Sequence, residues 1–176
     1  MYKLVVSKPD WLKTDQVKEI YSVSGCVSKD FDDWINYWKH NGYWFFDSPK
    51  IIKEIAKEND IDLSGMKLFF YRVYENQWND ETGQWEDFKP EESFETNVEL
   101  PKSSTLHGFD ITTFTAQTSA ECSPLSCNHM AEELEASPNC LLSSFEEAKQ
   151  LIESGDFNQC EPGPYRIFEV YSVENA

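Results

Sequence analysis

The residues best suited to chemistry lie in one loop of the second half of the chain: Cys122, Cys127, His129 and Cys140. Three thiolates and one imidazole are a sufficient ligand set for tetrahedral zinc. Their spacing, C-x4-C-x-H-x10-C, lacks a C-x2-C pair and matches no standard zinc module. Buried cysteines that act as small apolar side chains are therefore the competing interpretation.

The same loop is also a candidate for a reactive thiol. If a helix begins at Asn128, Cys127 lies at its N-terminus, where the helix dipole stabilises a thiolate. His129 is then the candidate base, although three nearby glutamates would raise the pKa of the thiol. A small thiol- or zinc-dependent enzyme or sensor built on residues 121–140 is one functional hypothesis.

A second cluster, residues 75–99, combines acids with aromatic side chains. Nine acids stand against a single lysine, and aromatic residues are interleaved with them. Aromatic anchors surrounded by carboxylates suit a basic protein surface, because the rings provide buried area and the charges steer the encounter. The competing interpretation is a hairpin with core aromatics and a solvated acidic face. The candidate partner-binding residues are Trp78, Trp85, Glu86, Asp87, Glu91 and Glu92.

Net charge narrows the possible partners. The chain of 176 residues carries a formal charge of −17, and nearly all of the excess falls after residue 60. Nucleic acid and anionic membranes would be repelled, whereas a basic protein would be attracted. The leading hypothesis is a non-enzymatic binding module of the inhibitor or immunity type, with no cofactor. A small-ligand pocket is a third possibility that the sequence neither supports nor excludes.

The N-terminal residues show no secretory signal pattern, and no apolar run approaches the length of a membrane-spanning helix. Five cysteines is an odd number, which favours reduced thiols over a disulfide framework. We therefore expect a cytoplasmic protein.

Periodicity predicts the elements that must position these residues. Apolar spacing predicts helices over 11–22, 30–40, 49–58, 128–135 and 144–154. Alternation and aromatic content predict strands over 3–6, 67–74, 84–88, 94–100, 108–116 and 165–173. Ser48 with Pro49, and Ser143 with Glu146, mark the clearest helix starts. The expected architecture is one α+β domain over residues 1–176, with a mixed or mainly antiparallel sheet and helices packed on one face.

Three segments together resemble an uncharacterised bacterial protein family. They are Gly108-Phe109-Asp110, the run from Glu121 to Asn128 (ECSPLSCN) and the run from Glu161 to Phe168 (EPGPYRIF). The resemblance covers about the last 70 residues and implies a bacterial or phage origin. No activity is attached to it, so it assigns no functional residue.

Overall fold

The computed structural model describes residues 2–4, 6–24, 46, 48–75, 78–86, 98–113, 122–161 and 163–174. In this part of the chain the helices are α1 (Pro49–Glu58), α2 (Pro124–Cys127) and α3 (Phe145–Ser154), with a 3-10 turn at Met130–Glu132. The strands are β1 (Tyr2–Leu4), β2 (Val6–Ser7), β3 (Glu19–Ile20), β4 (Met66–Glu75), β5 (Trp78–Asn79), β6 (Gln84–Trp85), β7 (Ser104–Thr113) and β8 (Tyr165–Val173).

The main sheet has the strand order β1-β4-β8-β7, and every pairing in it is antiparallel. The three long strands β4, β8 and β7 carry most of it, and β1 is a short edge. Aromatic and β-branched residues dominate β4 and β8, which suits a pleated and largely covered surface. The two pairs β2-β3 and β5-β6 are small separate ladders.

Two capped helices cover one face of the sheet. Ile52 and Ile55 of α1 form a buried cluster with Leu68 of β4. Phe145 of α3 meets Tyr74 of β4 edge-on, with ring centroids 4.9 Å apart. Leu68 and Tyr74 point to the same side because side chains alternate along a strand. The predicted α+β class, with an antiparallel sheet and helices on one face, is confirmed.

The helix starts show why these segments fold as they do. Ser48 accepts a hydrogen bond from the Ile51 N–H, and Pro49 is the first residue of α1. The start of α3 lies one residue later than predicted, since Ser144 accepts from the Glu147 N–H. The Glu147 carboxylate in turn accepts from the N–H and hydroxyl of Ser143.

Strand β7 is an edge strand with an irregularity near its middle. Leu106 pairs with Tyr171 and Gly108 with Val170, so His107 is an extra residue in a β-bulge. Gly108 has φ +143°, and a Cβ there would lie 2.5 Å from the Leu142 carbonyl oxygen. Only glycine fits this crowded position.

Short loops cover the outer edge of β7. Phe109 and Leu142 exchange two backbone hydrogen bonds of 3.0 and 2.9 Å. Four residues on, the Thr113 N–H donates to the Cys122 carbonyl oxygen at 2.9 Å.

The predicted helix over 11–22 is wrong. This segment is a loop that ends in β3, although Leu12 and Val17 are buried. The N–H groups of Lys18 and Glu19 donate to the Pro138 carbonyl oxygen, so their hydrogen bonds are tertiary rather than helical.

The predicted helix over 128–135 is also wrong, because the chain forms the single-turn α2 before it and the 3-10 turn within it. His129 separates the two with φ +65°, which a continuous helix cannot accommodate. Strand β7 begins four residues before the predicted 108, and residues 98–100 are not a strand. The predicted helix over 30–40 and residues 94–97 and 114–116 lie outside the described residues.

Candidate functional site

Helix α2 places the thiol loop differently from the prediction. Pro124 begins this helix and Cys127 ends it, so Cys127 is at the C-terminal end and gains no stabilisation from a helix N-terminus. The dipole argument for a reactive Cys127 is therefore wrong. Its sulfur lies 3.6 Å from Ser24 Oγ and 3.8 Å from Ser126 Oγ, and the residue is half-buried.

Cys140 is wholly buried in the core. Burial raises the pKa of its thiol to about 12, with smaller contributions from the charges of Asp110 and Cys127. A thiol that stays protonated is a poor nucleophile, because the thiolate is the reactive form. Cys122 is half-buried, and its backbone is bonded to Thr113.

His129 lies on the surface and belongs to a different group. Its Nδ1 is 3.3 Å from Glu132 Oε1, and its ring stands 4.9 Å from the Trp11 ring. Within the described residues, all four predicted zinc ligands included, no group of three His, Cys, Asp or Glu side chains could hold a metal ion. The thiol and zinc hypotheses stay predictions.

Behind the loop lies a polar group that the sequence did not predict. Asp110 of β7 is fully buried, and its carboxylate gathers donors from three segments. Oδ1 accepts from Ser123 Oγ at 2.6 Å and Ile111 N at 3.0 Å, and Oδ2 from Ser22 Oγ at 2.6 Å, Val23 N at 3.0 Å and Thr112 Oγ1 at 3.3 Å. A carboxylate bonded in this way ties the segments together and is closed to solvent.

A second unpredicted group lies on the same strand and is half-exposed. His107 Nε2 is 2.8 Å from Ser172 Oγ on the neighbouring strand β8. Asn139 lies close enough to His107 to raise its pKa, and the Tyr21 ring packs edge-on against His107 with ring centroids 4.9 Å apart. Tyr21 OH accepts from Lys67 Nζ at 2.7 Å. We call these five residues the histidine cluster.

Burial and the nearby positive charge of Lys67 both lower the pKa of His107, with Asn139 acting in the opposite direction. The imidazole is therefore neutral at pH 7. Gly108, which forces the bulge beside His107, was the one sequence signal for this cluster, because an isolated glycine in a strand pattern indicates a bulge.

The predicted partner surface is described only in part. Trp78 pairs with Trp85 across the β5-β6 ladder, as expected for a hairpin, and Glu86 is half-buried. Asp87, Glu91 and Glu92 lie outside the described residues. The assignment of a binding role to this surface stays a prediction.

An acidic cleft opens elsewhere on the molecule. It has a volume of about 600 Å³, and its lining residues are Gln16, Glu132, Glu133, Leu134, Glu135, Ala136 and Pro138. Trp11 stands beside it, linked through His129 to Glu132, and is 41% exposed. No binding role was predicted from the sequence for Glu132, Glu133 or Glu135.

Comparison with protein-family models, with curated proteins and with solved structures finds no match. The resemblance of the three segments to a bacterial family stays a prediction. In the part of the chain that the structure describes, the helices are too short or too polar to span a membrane.

Proposed function

We propose that this protein is a binding module for a basic protein partner. The observation that carries the proposal is the acidic cleft beside an exposed tryptophan. Cleft and tryptophan combine the two features that interfaces with basic proteins use: charge that steers the encounter and an aromatic anchor that loses water on binding.

The two segments that line the cleft differ in net charge. In residues 10–18 two lysines and two aspartates cancel, and in residues 129–138 three glutamates leave a net −3. The Lys13 and Lys18 ammonium groups donate to the carbonyl oxygens of Asp10 and Asp15, within their own loop. Glu133 and Glu135 are exposed and face solvent, where a cationic side chain can reach them.

Glu132 holds the two parts of the surface together. Its Oε1 accepts from the Lys13 N–H at 2.7 Å and lies 3.3 Å from His129 Nδ1. The bond from Lys13 lowers the pKa of Glu132 below its usual value, so the group stays charged at neutral pH. His129 in turn packs against the ring of Trp11, and a ring that is already partly packed loses less entropy when it becomes buried in an interface.

Charge reversal tests the cleft. Three immobilised baits are compared in lysate of the source organism: the unaltered protein, Glu133→Lys with Glu135→Lys, and Glu153→Lys with Glu161→Lys. The last variant is the matched control, since it reverses two exposed glutamates away from the cleft and changes net charge equally. Captured proteins are quantified by mass spectrometry, and the affinity of each purified candidate is measured at two salt concentrations.

We expect one basic protein to bind the unaltered protein and the control but to lose at least about tenfold in affinity for the cleft variant, with binding weakened by salt. If both variants capture the same basic proteins equally, or if no basic protein binds, the proposal is overturned. A further variant reverses Glu86, Asp87, Glu91 and Glu92, and loss of binding there instead would move the interface to the 75–99 surface.

A further inference from the structure

We propose that the histidine cluster is a catalytic site for ester hydrolysis, with Ser172 as nucleophile, His107 as general base and Asn139 as the group that orients the base. This activity is independent of the acidic cleft. A nucleophile bonded to a base, and a base bonded to a third group, is the arrangement by which hydrolases activate a hydroxyl.

The distance between nucleophile and base fits proton transfer. Ser172 Oγ lies 2.8 Å from His107 Nε2, within the range for a general base and the proton it removes. For Nε2 to accept that proton, the ring must carry its own proton on Nδ1. Asn139 raises the pKa of His107, and its side-chain amide oxygen is the group that we assign to accept from Nδ1–H.

The β-bulge in strand β7 allows the His107 side chain to face Ser172. Ser172 pairs directly with Thr105, and the regular register stops after Leu106. His107, as the extra residue, is free of the regular alternation, and bulges often re-aim a side chain next to an active site. The close approach of Gly108 to Leu142 fixes the bulge in place.

Asn139 is held by a rigid turn. Ser137 Oγ accepts from the N–H groups of Asn139 and Leu141, both at 3.2 Å. The Asn139 carbonyl oxygen accepts from the Tyr21 N–H at 3.1 Å, which joins this turn to the segment that carries Tyr21. Catalytic groups held in advance need no reorganisation during the reaction.

Lys67 provides a positive charge for the oxyanion. Phe69 pairs directly with Ser172, so Lys67, two residues before it, lies diagonally across the strands on the same face. A long side chain spans that diagonal. Its ammonium donates to Tyr21 OH at 2.7 Å and lies 3.5 Å from Glu19 Oε2, and these two contacts hold it near the imidazole. Such a charge stabilises the negative oxygen that forms when a hydroxyl attacks a carbonyl.

The proposed reaction requires only the groups of the histidine cluster, the ester and water. Ser172 Oγ attacks the ester carbonyl carbon, its proton passes to Nε2, and the tetrahedral intermediate loses the alcohol, which takes the proton from Nε2. Water then attacks the acyl-serine, with its proton passing through Nε2 back to Ser172 Oγ, and a carboxylic acid leaves. The Glu19 carboxylate and the surrounding water both weaken the effect of the Lys67 charge, because the ion pair is 3.5 Å long and the cluster is half-exposed. The substrate class is therefore an ester of a good leaving group, such as a phenol.

The experiment treats the full chain with a fluorophosphonate probe and maps the adduct by peptide mass spectrometry, and it follows hydrolysis of p-nitrophenyl acetate separately. We expect a single adduct on Ser172 and a hydrolysis rate that falls about 100-fold or more in Ser172→Ala and His107→Gln. Ser104→Ala is the matched control, because this hydroxyl on strand β7 bonds only locally, to the Pro101 carbonyl oxygen at 2.6 Å. It should keep the full rate.

Labelling is measured on the unaltered protein, so a variant that fails to fold cannot obscure the result. Absence of an adduct under conditions that label a known serine hydrolase would overturn the proposal. A Ser172→Ala protein that hydrolyses the ester at the unaltered rate would overturn it equally.

Discussion

Asp110 and His107 lie three residues apart on strand β7, on either side of Gly108, yet their surroundings are opposite. Asp110 is sealed, with five donors on its carboxylate and no exposed surface. His107 is half-exposed, and its Nε2 lies 2.8 Å from the Ser172 hydroxyl that we propose it deprotonates. A fully bonded buried group contributes to stability, whereas a partly open one keeps a position for a substrate. Strand β7 thus carries a structural carboxylate and the proposed catalytic base, which lie on either side of Gly108.

The largest loss of stability should come from removing the buried Asp110 carboxylate. Asp110→Ala leaves the Ser22 and Ser123 hydroxyls and the Val23 N–H buried without this acceptor, and each such group costs about 1–3 kcal/mol. We expect urea unfolding to show a loss of at least about 3 kcal/mol, or failure to fold. Ser172→Ala, in the open site, should cost no more than about 1 kcal/mol. Equal losses in the two variants would contradict the comparison.

The bulge itself can be broken with Gly108→Ala. The added Cβ would lie 2.5 Å from the Leu142 carbonyl oxygen, at φ +143°, so strand and loop must separate. Strain of this kind costs about 1–3 kcal/mol. We also expect the ester hydrolysis to be lost with it, since His107 no longer faces Ser172. Gly83→Ala, a positive-φ glycine with open space around it, is the control for backbone strain alone and should leave hydrolysis intact.

An effect confined to alkaline pH should appear in the core behind Asp110. The pKa of Cys140 is raised to about 12 in the folded protein, above its ordinary value of 9.0. The folded state therefore favours the protonated thiol, and this stability is complete below pH 9 and is lost as the pH rises from 9 towards 12. The unfolding free energy should fall by up to about 1.4 kcal/mol per pH unit from this residue.

Other groups titrate in the same pH range. The contribution of Cys140 is therefore obtained by comparing the pH dependence of a variant with that of the unaltered protein. Cys140→Ala should flatten the alkaline slope of urea-unfolding free energy relative to the unaltered protein. Cys160→Ala, in which a half-buried thiol is removed, should change it less. An unchanged slope in Cys140→Ala would show that the thiol ionises freely in the folded state.

Local patterns predicted the elements whose causes are local. The starts of α1 and α3 depend on a serine and the three residues after it, and β4 and β8 depend on their own aromatic and β-branched content. The helix predicted over 11–22 is wrong because the N–H groups of Lys18 and Glu19 donate to the carbonyl oxygen of Pro138, far along the chain. Spacing of apolar residues identified buried positions there but not their backbone conformation.

The candidate sites were harder to predict for the same reason. Ser22 is 88 positions from Asp110, and His107 is 65 positions from Ser172. No spacing rule joins such residues, since the sheet register brings them together. The Cys and His residues of the 121–140 loop were conspicuous because they were close in sequence, but the structure sends His129 to the surface and Cys140 to the core.

The backbone hydrogen bonds of Phe109 with Leu142 and of Thr113 with Cys122 also bear on whether strand β7 can pair with another chain. An uncovered edge strand is a template for pairing with another chain, and ten residues would make a long one. The bonds from Phe109 to Leu142 and from Thr113 to Cys122 occupy the second half of that edge. The bulge at His107 disrupts the pairing pattern in the first half. A chain that loses the 138–142 turn would expose this strand, and aggregation rather than simple unfolding would then be its characteristic failure.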